Sequence, residues 1–279
     1  PDPVETDICE GQKATVRFNL TGESPWDTLV YHHPGIGNDT LYDISSTPLD
    51  IDTLTADGEY YAIKIVDKNG NEGTELGDTV DVTVHSPPSP DINGDTAVCE
   101  GALITYDVVK ESDHYYSWNV SAGGTIESVA NSYSMSVEWQ NQGTASVEVT
   151  EGIQGVSGCE TTVDTVVTVY ETPQPDITAT PNPVCYGDTV ELNANTSPTG
   201  SSTYEYSWTP ADSVESPASK TTLHIPPENP DTTHVVNTFE VEVINKDKSG
   251  CSAKDSIDVT LFRKPETGNQ YYVPNDFDQ

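Results

Sequence analysis

The chain has 279 residues, 46 of them Asp or Glu against 11 Lys or Arg, for a formal net charge of −35. That balance excludes a general nucleic-acid grip, which needs clustered basic side chains to release phosphate counterions, and it disfavours insertion into or adhesion to anionic membranes. With 34% hydrophobic residues, 20 Gly, 20 Pro and one Met, the composition is that of a secreted β protein and not of a disordered acidic tail, and no run of eighteen apolar residues is present to span a bilayer.

The tripeptide Cys9-Glu10-Gly11 returns as Cys99-Glu100-Gly101 and as Cys185-Tyr186-Gly187, at intervals of 90 (9 to 99) and 86 (99 to 185) residues. A repeat of one small-domain length predicts a tandem array. The expected modules are 1–86, 87–171 and 172–263, with 264–279 a linker or the start of a further module. Pro1 carries no charged-then-apolar leader, so the chain reads as an internal or processed piece of something longer.

In the first module, Ser24-Pro25-Trp26 is the nearest match to a Tyr-Ser-Trp motif found in the other two. His32-His33 reads as an exposed strand end or loop and not as a metal pair. Asp57-Gly58-Glu59-Tyr60 has the sequence of a tyrosine corner, in which a Tyr hydroxyl bonds back to upstream backbone. Asp67, Asn69 and Asn71 place oxygen ligands in alternation as at the opening of a calcium loop, yet no glycine stands at the sixth place and no helices flank it; a plain hairpin turn is the expectation. The run 78–84 is β-branched and of strand length.

The junction Pro88-Ser89-Pro90-Asp91-Ile92 is nearly copied at Pro173-Gln174-Pro175-Asp176-Ile177, and two prolines in three residues stiffen the backbone between modules. Asp91, Asn93 and Asp95 form a second candidate calcium cluster in the first of these linkers. No other cofactor is implied. Tyr116-Ser117-Trp118 and Tyr206-Ser207-Trp208 place an aromatic in strand alternation, as expected for a ring packed between two sheets. The runs 164–169 and 255–261 repeat the β-branched strand that closes each module. Gly, Pro and Asn-Gly punctuation recurs too often for an amphipathic helix to survive. The expected fold is all-β, three sandwich domains in line.

Gly158-Cys159 and Gly250-Cys251 precede the last strands of the second and third modules, far downstream of those modules' first cysteines. The reading is one disulfide within each of these modules, Cys99 to Cys159 and Cys185 to Cys251, each closing a loop of roughly 60 residues and stabilising by roughly 4 kcal/mol in the chain-entropy account. In the first module Asn71 occupies the aligned position, which leaves Cys9 as a free thiol. No Cys-x-x-Cys pair or matched His spacing points to zinc.

The cysteine turns, the Tyr-Ser-Trp strands, the Gly-Cys before the last strand and the tail from Arg263 to Asn275 together resemble PKD-like and immunoglobulin-like repeats of giant Bacteroidota surface proteins. These include the gliding-motility adhesins and related cargo of the type IX secretion system. The resemblance implies a cell-surface filament used in attachment or gliding, with other modules of the same long chain and a surface polysaccharide or substratum as partners. It brings no catalytic residues. It also implies O-glycosylation at Asp-Ser/Thr motifs: Thr28, Thr40, Thr53, Thr79, Thr96, Thr165, Thr189, Ser213, Thr232 and Ser256. Strand propensity explains part of this excess, because several of these residues open β-branched runs. No nucleophile elbow, His-Glu-x-x-His, phosphate loop or dinucleotide fingerprint suggests an enzyme. The second reading is a carbohydrate-binding accessory array of a secreted glycoside hydrolase, which would need exposed aromatic platforms.

Overall fold

The computed structural model describes residues 2–73, 76–197, 203–227, 234–248 and 250–264, and the tail motif beyond Lys264 lies outside them. By compactness the chain divides into two units, residues 1–96 with 104–138 and 145–166, and residues 97–103 with 139–144 and 167–279.

The chain opens with β1 (Asp2–Glu5), β2 (Asp7–Cys9), β3 (Ala14–Phe18), β4 (Trp26–His33), β5 (Gly37–Ile44), β6 (Leu49–Leu54), β7 (Gly58–Asp67) and β8 (Val80–His85). They form a three-stranded sheet, β1-β3-β6, and a five-stranded one, β2-β8-β7-β4-β5. Alternation does the sorting: Ala14, Val16 and Phe18 point inward from β3 and join Trp26, Leu29, Tyr31, Tyr60 and Val82 in one buried cluster. Residues two apart share a face of a strand, so each such run needs only one partner sheet.

β9 (Ala97–Cys99), β10 (Leu103–Asp107), β11 (His114–Val120), β12 (Gly124–Ile126), β13 (Ser134–Trp139), β14 (Gly143–Ile153) and β15 (Glu160–Tyr170) follow. Their sheets are ordered β10-β13-β12 and β11-β14-β15-β9. The third set is β16 (Gln174–Thr180), β17 (Val184–Cys185), β18 (Val190–Ser197), β19 (Tyr204–Thr209), a single 3-10 turn at Ala211–Ser213, β20 (Thr221–His224), β21 (His234–Asn245) and β22 (Ser252–Phe262). Its sheets are β16-β18-β20 and β17-β22-β21-β19. The architecture is all-β, a tandem of sandwich domains, and the β-branched runs at 78–84, 164–169 and 255–261 fall in β8, β15 and β22.

The anchoring residues are those the sequence singles out. Tyr60 is fully buried and its hydroxyl donates to Ala56 O at 3.0 Å, the bond of a tyrosine corner. Trp118 and Trp208 are buried, and their indole N–H groups donate to Ser132 O at 2.7 Å and Ser219 O at 2.8 Å. Trp26 uses the same device toward Thr21 O at 3.0 Å, so the divergent Ser-Pro-Trp segment still delivers a core tryptophan. The second proline junction is more than a linker, for Gln174 and Pro175 begin β16 and pair with Ser197 and Thr196. β16 is an edge strand, where the missing proline N–H costs no ladder bond.

Candidate functional site: the cysteine turns

One local structure occurs three times. The short strand carrying the first cysteine runs parallel to the last long strand, so that Cys9 is the register partner of His85, Cys99 of Tyr170 and Cys185 of Phe262. The next residue donates its N–H to that partner's carbonyl: Glu10 to His85 at 2.8 Å, Glu100 to Tyr170 at 2.8 Å, Tyr186 to Phe262 at 2.9 Å. The cysteine carbonyl then accepts from the residue three further on, Gln12 at 2.9 Å, Ala102 at 3.0 Å and Asp188 at 3.0 Å. The glycine at the third position has φ of +87°, +83° and +78° in the three copies. Only glycine takes that region without penalty, which is why Cys-x-Gly is the sequence of the turn.

The Gly-Cys motifs end the connections between β14 and β15 and between β21 and β22. Ile153 N–H donates to Cys159 O at 3.0 Å, and Asn245 N–H to Cys251 O at 2.9 Å. These hairpin cysteines are the partners of the turn cysteines, with an offset of one domain: Cys9 is bonded to Cys159 and Cys99 to Cys251, across 150 and 152 residues, with Cα–Cα distances of 5.0 and 5.4 Å.

This corrects the intradomain pairing. Cys185 sits beside the last residue of β22 and Cys251 directly precedes its first. An eleven-residue strand at ~3.3 Å per residue holds them ~35 Å apart, whereas a disulfide needs Cα atoms within about 7 Å. The same strand length in β15 lies between Cys159 and Tyr170, the register partner of Cys99. Cys9 is therefore not the free thiol; Cys185 is, and it is half-buried.

Each junction has its own supporting contacts. At the first, Gln12 accepts the Cys9 N–H on Oε1 at 2.9 Å and donates from Nε2 to Ser157 O at 3.0 Å, joining turn to hairpin. Cys9, Val156 and Cys159 form a buried cluster closed by Ile153. At the second, the buried Asn245 donates from Nδ2 to Glu171 O at 2.8 Å, the Tyr204 hydroxyl donates to the buried Glu171 carboxylate, and Thr172 Oγ1 donates to Glu100 O at 2.8 Å. Burial of Cys9 and Cys159 shields that disulfide from attacking thiolates.

Asp67 Oδ1 accepts the N–H groups of Asn69 and Asn71, each at 2.8 Å, and Oδ2 accepts Asn71 Nδ2 at 2.9 Å. The carboxylate thus organises its own turn, and the Asn71 side chain with these amides holds its pKa below 3.8. Asn93 forms a bridge with Asp107, and Asp95 O accepts the Tyr106 hydroxyl at 2.8 Å; Asp91 is exposed. Among the described residues no group of three or more His, Cys, Asp or Glu side chains gathers as a metal site would require. His32 stacks on Tyr61 at 4.9 Å and His33 meets Tyr60 edge-on at 5.2 Å, both half-buried at the end of β4. Of the O-glycosylation candidates, Thr53, Thr79, Thr96, Thr189 and Ser256 are exposed and Thr28, Thr40, Thr165 and Ser213 half-buried, while Thr232 lies outside the described residues. Trp139 is a further core ring, fully buried in β13; its position two residues after Val137 in an alternating run is the sequence signal for it.

Sheet pairs of this topology define a tandem array of immunoglobulin-like β-sandwich modules. Residues 85–169 match the PKD-like domain family. No curated protein matches the chain. Among solved structures, a three-Ig stretch of titin in an E-to-A variant is 14% identical over 94% of this chain and 95% of that one, with a TM-score of 0.45. A four-domain ectodomain fragment of ICAM-5 is 12% identical over 94% and 75%, with a TM-score of 0.46. The three-Ig ectodomain of mouse nectin-like molecule 4 is 15% identical over 93% and 98%, with a TM-score of 0.37. Disulfides in such modules fit an oxidising, extracellular setting, and no helix among the described residues is long and apolar enough to cross a membrane.

Proposed function

We propose that the chain is a load-bearing segment of a secreted bacterial cell-surface adhesin or filament, used in surface attachment or gliding and exported by a type IX route. The observation that carries this reading is the offset pairing of the cysteines. Each disulfide joins the turn of one sandwich to the hairpin of the next, so force passes between domains through covalent bonds and not only through side-chain packing. A net charge of −35 keeps such segments apart in solution and from anionic surfaces. Exposed Thr and Ser in Asp-Thr or Asp-Ser motifs offer acceptors for O-linked sugar without disturbing the cores.

The carbohydrate-binding alternative is less well supported. All four tryptophans, Trp26, Trp118, Trp139 and Trp208, are buried, which leaves exposed tyrosines, among them Tyr42, Tyr115 and Tyr133, to stack against sugar.

The test is attachment of intact producing cells to glass and to polysaccharide-coated surfaces, with and without Fab fragments raised against residues 1–279. Loss of attachment together with accessibility of the array on unbroken cells supports the reading. Undiminished attachment, or tight binding of the isolated chain to an insoluble polysaccharide, turns it toward the accessory-module alternative. Intact mass before and after reduction, compared with the sequence mass of 30.1 kDa, measures any glycan directly.

A further inference from the structure

We infer that Cys185 is a docking point for one more sandwich module of this class, closed by a disulfide to that module's hairpin cysteine. The local structure around Cys185, and not the mere presence of a thiol, repeats that of the two bonded turns. Cys185 shares its parallel register and its glycine turn with Cys9 and Cys99, and the N–H bond that follows the cysteine measures 2.8, 2.8 and 2.9 Å in the three copies. Both of the other copies are bonded to a hairpin cysteine that directly precedes a module's last strand. A turn of the same backbone geometry, with Tyr186 in place of Glu10 and Glu100, holds the backbone of Cys185 at the same place against the last strand.

A second observation lies beside it. Phe262, the register partner of Cys185, is 43% exposed, whereas its counterparts His85 and Tyr170, at the two occupied junctions, are half-buried. At the second junction the contacts come from Asn245 and Tyr204, which cover the residue after Tyr170. An incoming hairpin of the same kind would cover the ring of Phe262.

A second copy of this chain does not satisfy the site. Cys9, Cys159, Cys99 and Cys251 are all bonded, and the first sandwich carries Asn71 at the hairpin position. The partner is a further module of the same array. Closing the bond takes one proton and one electron from each thiol, and the two electrons reduce a disulfide oxidant to two thiols, as in exchange with glutathione disulfide.

The test appends a second copy of residues 172–263 to the full chain, after Gln279 in one form and directly after Arg263 in another. Each is folded in a glutathione redox buffer, alkylated under denaturing conditions and mapped by peptide mass. The expected result is a Cys185 peptide linked to the hairpin cysteine of the appended module, with one alkylated thiol per chain, that of the appended turn. Three alkylated thiols per chain in both forms, or a disulfide between Cys185 residues of two chains, would overturn the inference.

Discussion

Cys185 and Cys251 occupy opposite ends of β22, the first beside Phe262 at its close and the second just before Ser252 at its start. Because the cysteine-bearing strand runs parallel to the last strand in every sandwich, the second and third modules, which have two cysteines each, carry them at opposite poles. A bond within the module is then barred by distance, and a bond to the neighbour follows from stacking one pole on the next.

Disulfide mapping checks this pairing. Proteolysis of the unreduced chain is expected to release one linked pair containing Cys9 with Cys159 and another containing Cys99 with Cys251, with Cys185 alone alkylated. Peptides joining Cys99 to Cys159 would refute the offset arrangement.

The first hairpin depends on Gly158. Its φ is +68°, and a Cβ there would lie 2.8 Å from Gln12 Nε2, the group that ties the turn to Ser157 O. Gly158→Ala combines left-handed strain with displacement of that bond and is expected to destabilise the first junction by about 1–2 kcal/mol. Gly250 has no neighbour within 4 Å of an added methyl and no positive φ, so Gly250→Ala should change stability by no more than about 0.5 kcal/mol. Thermal melts of the two variants, followed by tryptophan fluorescence, compare them directly.

Asp67 gives a pH signature confined to one turn. Its folded pKa is depressed by the Asn71 side chain and by backbone N–H bonds, and a depressed carboxyl contributes stability that is present above its unfolded pKa and lost as pH falls through the folded value. Protection of the Asn69 and Asn71 amides, taken relative to their intrinsic exchange at each pH, is therefore expected to be full at neutral pH and to be lost as pH falls through the depressed folded value, below 3.8. Asp67→Asn should abolish that pH dependence, and addition of calcium at neutral pH should leave the exchange unchanged.

What the sequence made legible was local. Val and Thr alternation located β8, β15 and β22, the Asp-Gly-x-Tyr spelling located the corner at Tyr60, and the Tyr-Ser-Trp strands located two core rings, because each signal is written in residues that touch one another or share a strand. The cysteine pairing depends on which pole of a sheet each residue occupies, which is set by the register of β9 on β15 and of β17 on β22. The spacing from Cys99 to Cys159 fits a bond within the module equally well until that register is known. One sequence signal did point the other way: offset pairing leaves the hairpin position of the first sandwich and the turn position of the third without partners inside these residues, and the chain has Asn71 at one and Cys185 at the other.

The two disulfides also fix a load path. Between the two bonds the chain runs by three routes in parallel, residues 10–98, 100–158 and 160–250, and the extension under tension applied outside Cys9 and Cys251 is limited by the shortest of them. That shortest route, from Cys99 to Cys159, is about 60 residues or ~200 Å at full extension, against about 240 residues or ~850 Å from Cys9 to Cys251 once the bonds are reduced. Its force-bearing pairing is the parallel one between β9 and the end of β15, loaded along the strands. Single-molecule pulling with handles placed just outside Cys9 and Cys251 should show a released contour of about 200 Å, less the folded span, under oxidising conditions, and a several-fold longer one once reductant is added. Equal contour in both conditions would mean that the cysteines do not bridge the domains and would remove the mechanical basis for reading the array as a tether.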